Sequence, residues 1–123
     1  MNDTYVTPQY EGQQLLREVI NANDVDKLGR MIIGAALHEK DFGFVQRVCI
    51  ELSSHSDEIV RGNAVLGLGH LARLFEQLGD EAVGIVRDRL QDPSDYVRGQ
   101  AHAAAGDLSH FLGVEVRRQD DEL

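Results

Sequence analysis

The chain has 123 residues, the size of one domain that buries a core without disulfide or metal support. Its formal net charge of -9 and isoelectric point near 4.8 argue against nucleic acid as the main ligand, because that binding depends on clustered Lys and Arg. The single cysteine excludes an internal disulfide framework and a four-cysteine zinc site.

An acidic surface suits basic partners, although net charge also serves solubility alone. The sequence has no signal-type segment at its N-terminus and no apolar run near the roughly 18 residues of a membrane span. We therefore expect a soluble, cytoplasmic protein that binds neither membrane nor nucleic acid.

The first part of the chain predicts an arm followed by a helical hairpin. Residues 1–8 lack periodicity and are interpreted as an N-terminal arm. Apolar residues at helical spacing then predict two helices within a hairpin of about residues 9–39, the first over roughly 9–21, with N-cap candidates at 21–24. This hairpin resembles the later ones only loosely, which is typical of a capping repeat.

The second predicted hairpin covers about residues 41–76. Asp41 is a suitable N-cap for its first helix, and Cys49 belongs to the apolar stripe of that helix. Its second helix follows Asp57 and Glu58, whose carboxylates favour the positive end of a helix dipole.

The third predicted hairpin covers about residues 80–113. The run Asp92-Pro93-Ser94-Asp95 is typical of a helix start, with a carboxylate cap before the proline, and Gly113 ends the helix. Residues 114–123 are interpreted as a charged C-terminal tail.

Two of the predicted helices are copies of each other. With an offset of 37 residues, 6 of 20 aligned positions are identical without gaps, and Val60-Arg61-Gly62-Asn63-Ala64 aligns with Val97-Arg98-Gly99-Gln100-Ala101. A repeat of this length is typical of stacked helical hairpins. Both copies are rich in Gly and Ala, which favours close approach of helices and disfavours a wide cofactor cavity.

A helix, an acidic turn and then Asp-x-x-Val-Arg-x-x-Ala at the start of a second helix is similar to the HEAT repeat. The resemblance is carried by residues 56–64 and, with Asp92, Pro93 and Ser94 in the turn, by residues 92–101, and it covers about residues 41–113. It implies an all-α fold: a short α-solenoid of about three stacked antiparallel hairpins, with roughly six helices. It also implies a structural role for Arg61 and Arg98, which in HEAT repeats join a ladder with the turn aspartates.

No catalytic motif is present. The sequence lacks a phosphate-binding Gly-x-x-x-x-Gly-Lys, a Gly-x-Ser-x-Gly and a His-Glu-x-x-His, and Cys49 lies on a core stripe where free cysteine behaves as a small hydrophobe. His70, Asp107 and His110 form a conceivable metal site, but surface polar residues are the simpler interpretation. We therefore expect no enzyme, no cofactor and no metal.

The resemblance implies a binding surface, because the second helices of HEAT hairpins line the concave side of the stack. We call the off-core positions of the two repeated helices the ridge. Together with the acidic residues near the helix starts, the ridge supplies the candidate partner-binding residues: Asp57, Glu58, Ile59, Asn63, Leu66, His70, Arg73, Asp92, Asp95, Tyr96, Gln100, Asp107 and His110. Ordinary surface with scattered apolar residues is the alternative interpretation.

A small, acidic, HEAT-like chain resembles the immunity proteins of bacterial toxin systems, including contact-dependent growth inhibition. The resemblance implies a monomer or a 1:1 heterocomplex in which acidic residues, with Tyr96 as an anchor, occlude the basic site of a toxin, such as a nuclease. Two alternatives remain. One is a HEAT-type scaffold or lyase-like protein, which would need a reactive Cys49, and the other is a HEAT-like DNA glycosylase, which would need a cationic concave face.

Overall fold

The protein is all-helical. The computed structural model describes residues 9–116, so the predicted arm and residues 117–123 of the predicted tail lie outside the described part of the chain. Residues 9–116 contain no strand and form six helices: α1 Gln13–Ala22, α2 Val25–His38, α3 Phe42–Leu52, α4 Glu58–Phe75, α5 Asp80–Arg89 and α6 Asp95–Leu112. The predicted all-α class and helix number are confirmed.

Carboxylate caps fix where three of the helices begin. Asp24 accepts a hydrogen bond from the Lys27 amide, at 3.3 Å, and starts α2. Asp41 accepts from the Phe44 amide at 3.0 Å, as predicted, and starts α3. Asp57 starts α4 in the same way. Each cap satisfies a backbone donor that the first helical turn leaves without a partner.

Two helix starts differ from the prediction. Helix α1 begins at Gln13 rather than near residue 9, after Gly12 at a φ of 105°. Helix α6 is capped by Ser94, whose hydroxyl accepts from the Val97 amide at 3.2 Å, and not by Asp92. The carboxylate of Asp92, before the proline, binds the side chains of Arg61 and Arg89 instead. Ser94 therefore takes the capping position.

Helix α4 is the centre of the fold and lies between α2 and α6. Helices α1, α3 and α5 pack against α2, α4 and α6, respectively, and α3 also contacts α5. The shared core is built from aliphatic side chains of all six helices, among which the largest fully buried ones are Leu16, Leu28, Ile32, Leu68, Leu71 and Leu108. Because α4 is covered by α2, α3 and α6, it has more buried residues than any other helix in residues 9–116.

Glycines of α4 allow α6 to approach closely. A methyl group on Gly62 would lie 2.8 Å from two ring carbons of Tyr96, and one on Gly69 would lie 2.8 Å from the Cα of Ala104. The repeat partners Gly99 and Gly106 on α6 have no neighbour within 4 Å of that position. The predicted close packing is therefore present on α4, while α6 turns its glycines away from the core.

The C-terminal end of the fold extends past the predicted helix stop. Gly113 ends α6 in the left-handed region, as predicted, and the Val114 amide then donates to the Leu108 carbonyl at 3.2 Å. Val116 is fully buried. Residues 114–116 thus belong to the packed domain, and the predicted tail starts later than residue 114.

Candidate partner-binding surface

Asn63 connects three helices beneath the ridge. Its amide Nδ2 donates to the Gly29 carbonyl of α2 at 2.9 Å. Its Oδ1 accepts from the Tyr96 hydroxyl at 2.5 Å and from the Gln100 Nε2 at 3.1 Å, both on α6. Asn63 is buried, so these bonds satisfy a polar group that would otherwise be costly to desolvate. The network fixes the spacing of α2, α4 and α6 along this surface.

Tyr96 is fixed by contacts with α4 and is also partly exposed to solvent. Its ring lies over Gly62, its hydroxyl is bonded to Asn63 and Gln100, and 37% of the residue remains accessible. Desolvation raises the pKa of Tyr96 above its ordinary value, and the hydrogen bond from Gln100 offsets part of that rise. The phenol therefore stays neutral and presents one face of an immobilised ring to solvent.

Ile59 is the repeat counterpart of Tyr96 and lies one helix away. It is 42% exposed at the start of α4, and a methyl group on Gly29 would lie 3.5 Å from its Cγ2. Ile59 therefore packs against Gly29 of α2 as Tyr96 packs against Gly62 of α4, and both side chains remain partly exposed to solvent. Leu66 of the same ridge is half-buried.

The far end of the ridge carries the polar residues. Arg73 Nη2 lies 3.3 Å from His70 Nδ1. Burial lowers the pKa of His70, the charge of Arg73 lowers it further, and Asp107 opposes both effects. His70 is therefore neutral at pH 7 and its Nδ1 accepts from Arg73. Asp107 is half-buried, while His110 is exposed and its ring meets that of Phe111 edge-on.

No metal centre forms from the conceivable set His70, Asp107 and His110. Within residues 9–116, no group of three or more His, Cys, Asp or Glu side chains is placed so that it could hold a metal ion.

The acidic candidates divide into exposed and buried residues. Glu58 and Asp95 are exposed near the starts of α4 and α6, where Glu58 accepts from the Ser94 hydroxyl and Asp95 pairs with Arg98. Asp57 is half-buried and caps α4. Asp92 is only 3% exposed and is bonded to Arg61 and Arg89. The carboxylate of Asp92 is thus enclosed by its own fold, unlike those of Glu58 and Asp95.

Arg61 has the structural role that the sequence predicts. Its Nε and Nη2 donate to the two oxygens of Asp92 at 3.0 and 2.9 Å, and its Nη1 donates to the His55 carbonyl at 3.0 Å. Arg98 stands at the equivalent place in α6, where its Nη1 donates to the Asp92 carbonyl at 2.6 Å. Both arginines therefore bind a carbonyl of the turn before their own helix. Of the two, only Arg61 also binds the turn of the following hairpin, through Asp92.

Sequence reasoning missed two exposed apolar residues and one cavity. Leu15 on α1 is 36% exposed and Leu74 on α4 is 45% exposed. Both belong to apolar runs whose periodicity predicts burial, so no local signal separates them from core residues. The cavity lies between α1 and α2, and Leu15 lines it.

None of the helices in residues 9–116 is long and apolar enough to cross a membrane. No protein-family model, curated protein or solved structure matches this chain.

Proposed function

We propose that the chain is a short α-solenoid of three HEAT-like hairpins that works without catalysis, by binding a protein partner on the ridge. Its proposed role is that of a cytoplasmic immunity protein, which forms a 1:1 complex with a bacterial toxin and occludes the basic active site. The observation that carries the binding role is the pair Ile59 and Tyr96, two apolar side chains exposed at equivalent positions of adjacent helices.

Repeated contacts between the even-numbered helices support the solenoid. Gly29 of α2 receives Ile59 and Asn63 of α4, and Gly62 of α4 receives Tyr96 and Gln100 of α6, which are their repeat counterparts. A contact that recurs with the same residue positions is what a stack of similar units requires.

The outer face of α6 supports a terminal repeat. Solenoids need end units with a polar outer face, because no further unit covers them. Three buried apolar residues of α4 have smaller or more polar, more exposed counterparts in α6: Val65, Leu68 and Ala72 correspond to His102, Ala105 and Ser109.

Rigidity of the ridge favours recognition of a partner. An aromatic anchor that is already immobilised loses little conformational entropy on binding, and aromatic residues dominate protein interface energies. Tyr96 is immobilised by Gly62 and Asn63 before any partner arrives. The ridge thus offers an apolar centre with a fixed shape.

Acidic residues at one end of the ridge favour a basic partner. Glu58 and Asp95 are exposed beside Ile59 and Tyr96, and the whole chain carries a formal charge of -9. Charge of this kind accelerates association with a cationic surface, and the effect declines as salt rises.

The test uses the product of the open reading frame next to this gene, co-expressed with the protein to measure growth and titrated by calorimetry to measure affinity. We expect protection of growth and 1:1 binding. Ile59→Glu places a charge at the apolar centre and should weaken binding at least about tenfold, since hot-spot changes of about 2 kcal/mol are typical. Gln91→Glu adds the same charge at an exposed site between α5 and α6 and should leave affinity unchanged.

Electrostatic steering has its own signature. Glu58→Gln combined with Asp95→Asn should slow association at low salt and change dissociation little. Absence of both binding and protection overturns the proposed function. Equal losses in Ile59→Glu and Gln91→Glu would place the binding site away from the ridge.

The lyase-like alternative finds no support in the thiol. Cys49 is fully buried, and burial raises its pKa to about 12. A thiol in this state is neither accessible nor ionised at neutral pH.

A further inference from the structure

A cavity of about 480 Å³ opens between α1, α2 and the segment before α1. This volume lies within the roughly 300 to 1,000 Å³ typical of small-molecule sites. Apolar side chains form much of its lining: Leu15 and Val19 of α1, and Met31 and Ile33 of α2. Leu15 is 36% exposed there, although it is part of an otherwise buried helical stripe.

The wall of the cavity is fixed by packing of the main chain. A methyl group on Gly34 would overlap the carbonyl oxygen of Gln9, so this backbone lies directly on α2. The next residue, Tyr10, donates a hydrogen bond from its hydroxyl to Glu39 at the end of α2. The cavity is therefore bounded by anchored structure on the side of residues 9–11.

Two cations lie at this cavity without an ion pair to any residue of the described part of the chain. Lys27 and Arg30 are one turn apart on α2, both line the cavity, and both are exposed. Within residues 9–116, neither the ammonium of Lys27 nor the guanidinium of Arg30 forms an ion pair or a side-chain hydrogen bond. Among the described residues of the lining, Glu11 is the one carboxylate, so two cations there face a single anion.

Ten Lys and Arg residues lie in the described part of this chain, and Lys27 and Arg30 are two of the six that form no ion pair there. Four of its arginines are engaged by carboxylates, in contacts of Arg17, Arg61, Arg89 and Arg98. An apolar hollow with two unpaired cations beside it is complementary to a molecule that has an apolar body and an anionic head. A guanidinium and an ammonium both donate strong charge-assisted hydrogen bonds to carboxylate or phosphate oxygens.

We propose that this cavity binds a small amphipathic anion, whose apolar body packs on Leu15, Met31 and Ile33 and whose head is held by Lys27 and Arg30. The site does not depend on the partner-binding role of the ridge. Asn63 lines both the cavity and the ridge network. Its amide already forms hydrogen bonds with Gly29, Tyr96 and Gln100.

The proposal is tested on the full chain with decanoate, decyl phosphate and decanol, titrated by calorimetry below the concentrations at which they form micelles. We expect saturable 1:1 binding of one or both anions and binding of decanol at least about tenfold weaker, because a charge-assisted bond contributes more than about 1.4 kcal/mol. The two anions distinguish a carboxylate head from a phosphate head.

Charge variants locate the site. Arg30→Gln and Lys27→Gln should each weaken anion binding about tenfold and leave the unfolding midpoint near that of the parent, since both side chains are exposed. Lys40→Gln removes the same charge from an exposed residue between α2 and α3 and should bind as the parent does. Equal affinity for decanol, equal loss in Lys40→Gln, or no saturable binding of either anion would each overturn the proposal.

Discussion

Arg61 and Asp92 form a buried bidentate ion pair that joins the start of α4 to the turn before α6. The two donor–acceptor distances are 3.0 and 2.9 Å, and the Asp92 side chain is only 1% exposed. Arg89 adds a second cation at 3.2 Å, and the Ser94 amide donates to the same carboxylate at 2.9 Å. Asp92 thus links the turn before α6 to the start of α4 and to the end of α5.

Removal of this carboxylate should be costly. Asp92→Ala leaves Arg61 without its partner in a partly buried place, and loss of one member of a buried pair costs about 3 to 5 kcal/mol. The free energy of unfolding from urea titration measures the change. Asp95→Ala breaks the exposed pair with Arg98 and should cost at most about 1 kcal/mol. Similar costs for both substitutions would contradict the structural difference between the two pairs.

The same pair predicts acid sensitivity. The hydrogen bond from Arg61 is the largest cause that holds the pKa of Asp92 below its ordinary value, and burial opposes it. A carboxylate with a lowered pKa in the folded state stabilises the fold fully above its unfolded pKa, about 3.9, and loses that contribution as pH falls through its folded pKa. The stability difference between the parent and Asp92→Asn should therefore be constant near neutral pH and shrink below about pH 4. A difference that persists unchanged to pH 2 would contradict this assignment.

Gly69 and Gly106 occupy equivalent positions of the repeat but should respond oppositely to alanine. Gly69→Ala forces a methyl group against the Ala104 backbone and should destabilise the protein by about 1 to 3 kcal/mol, offset in part by better helix propensity. Gly106→Ala meets no neighbour within 4 Å and should stabilise α6 by up to about 1 kcal/mol. Thermal unfolding of both variants provides the measurement, and changes of the same sign would show that α6 does not pack on α4 as described.

Asn63 should couple to Tyr96 energetically. Asn63→Ala removes three hydrogen bonds and leaves buried groups without partners, at a cost of about 2 to 3 kcal/mol. Tyr96→Phe removes only the hydroxyl and should cost about 1 kcal/mol. Since both changes break the same bond, the double variant should cost less than the sum, as a double-mutant cycle in urea measures. Strict additivity would mean that the bond contributes nothing.

Cys49 should be protected from alkylation in the folded protein. It is fully buried and its pKa is raised to about 12, so both access and ionisation limit the reaction. Native protein at pH 8 should react with iodoacetamide far more slowly than protein in urea, as mass spectrometry of the intact chain measures. Fast, stoichiometric labelling of the native chain would instead favour the lyase-like alternative.

Local chemistry explains how much of the fold the sequence predicts. Apolar spacing locates six helices, and carboxylates at Asp24 and Asp41 locate two of their starts, because periodicity and capping act over a few residues. The resemblance to the HEAT repeat also implies a structural role for Arg61 and Arg98. The candidate site is predicted less completely. Ile59 and Tyr96 are exposed, as a binding surface requires, whereas Asp92 is buried.

The tertiary structure decides what the repeat cannot, because equivalent glycines of the two copies have different neighbours. Gly62 and Gly69 are covered by α6, whereas Gly99 and Gly106 face open space. Packing also buries Asp92 while Asp95, three residues later, stays exposed, and within residues 9–116 it leaves Lys27 and Arg30 without an ion pair at a cavity. The sequence by itself determines the helices and their repetition, and only the packing of one helix on the next determines which side chains are left for a partner or a ligand.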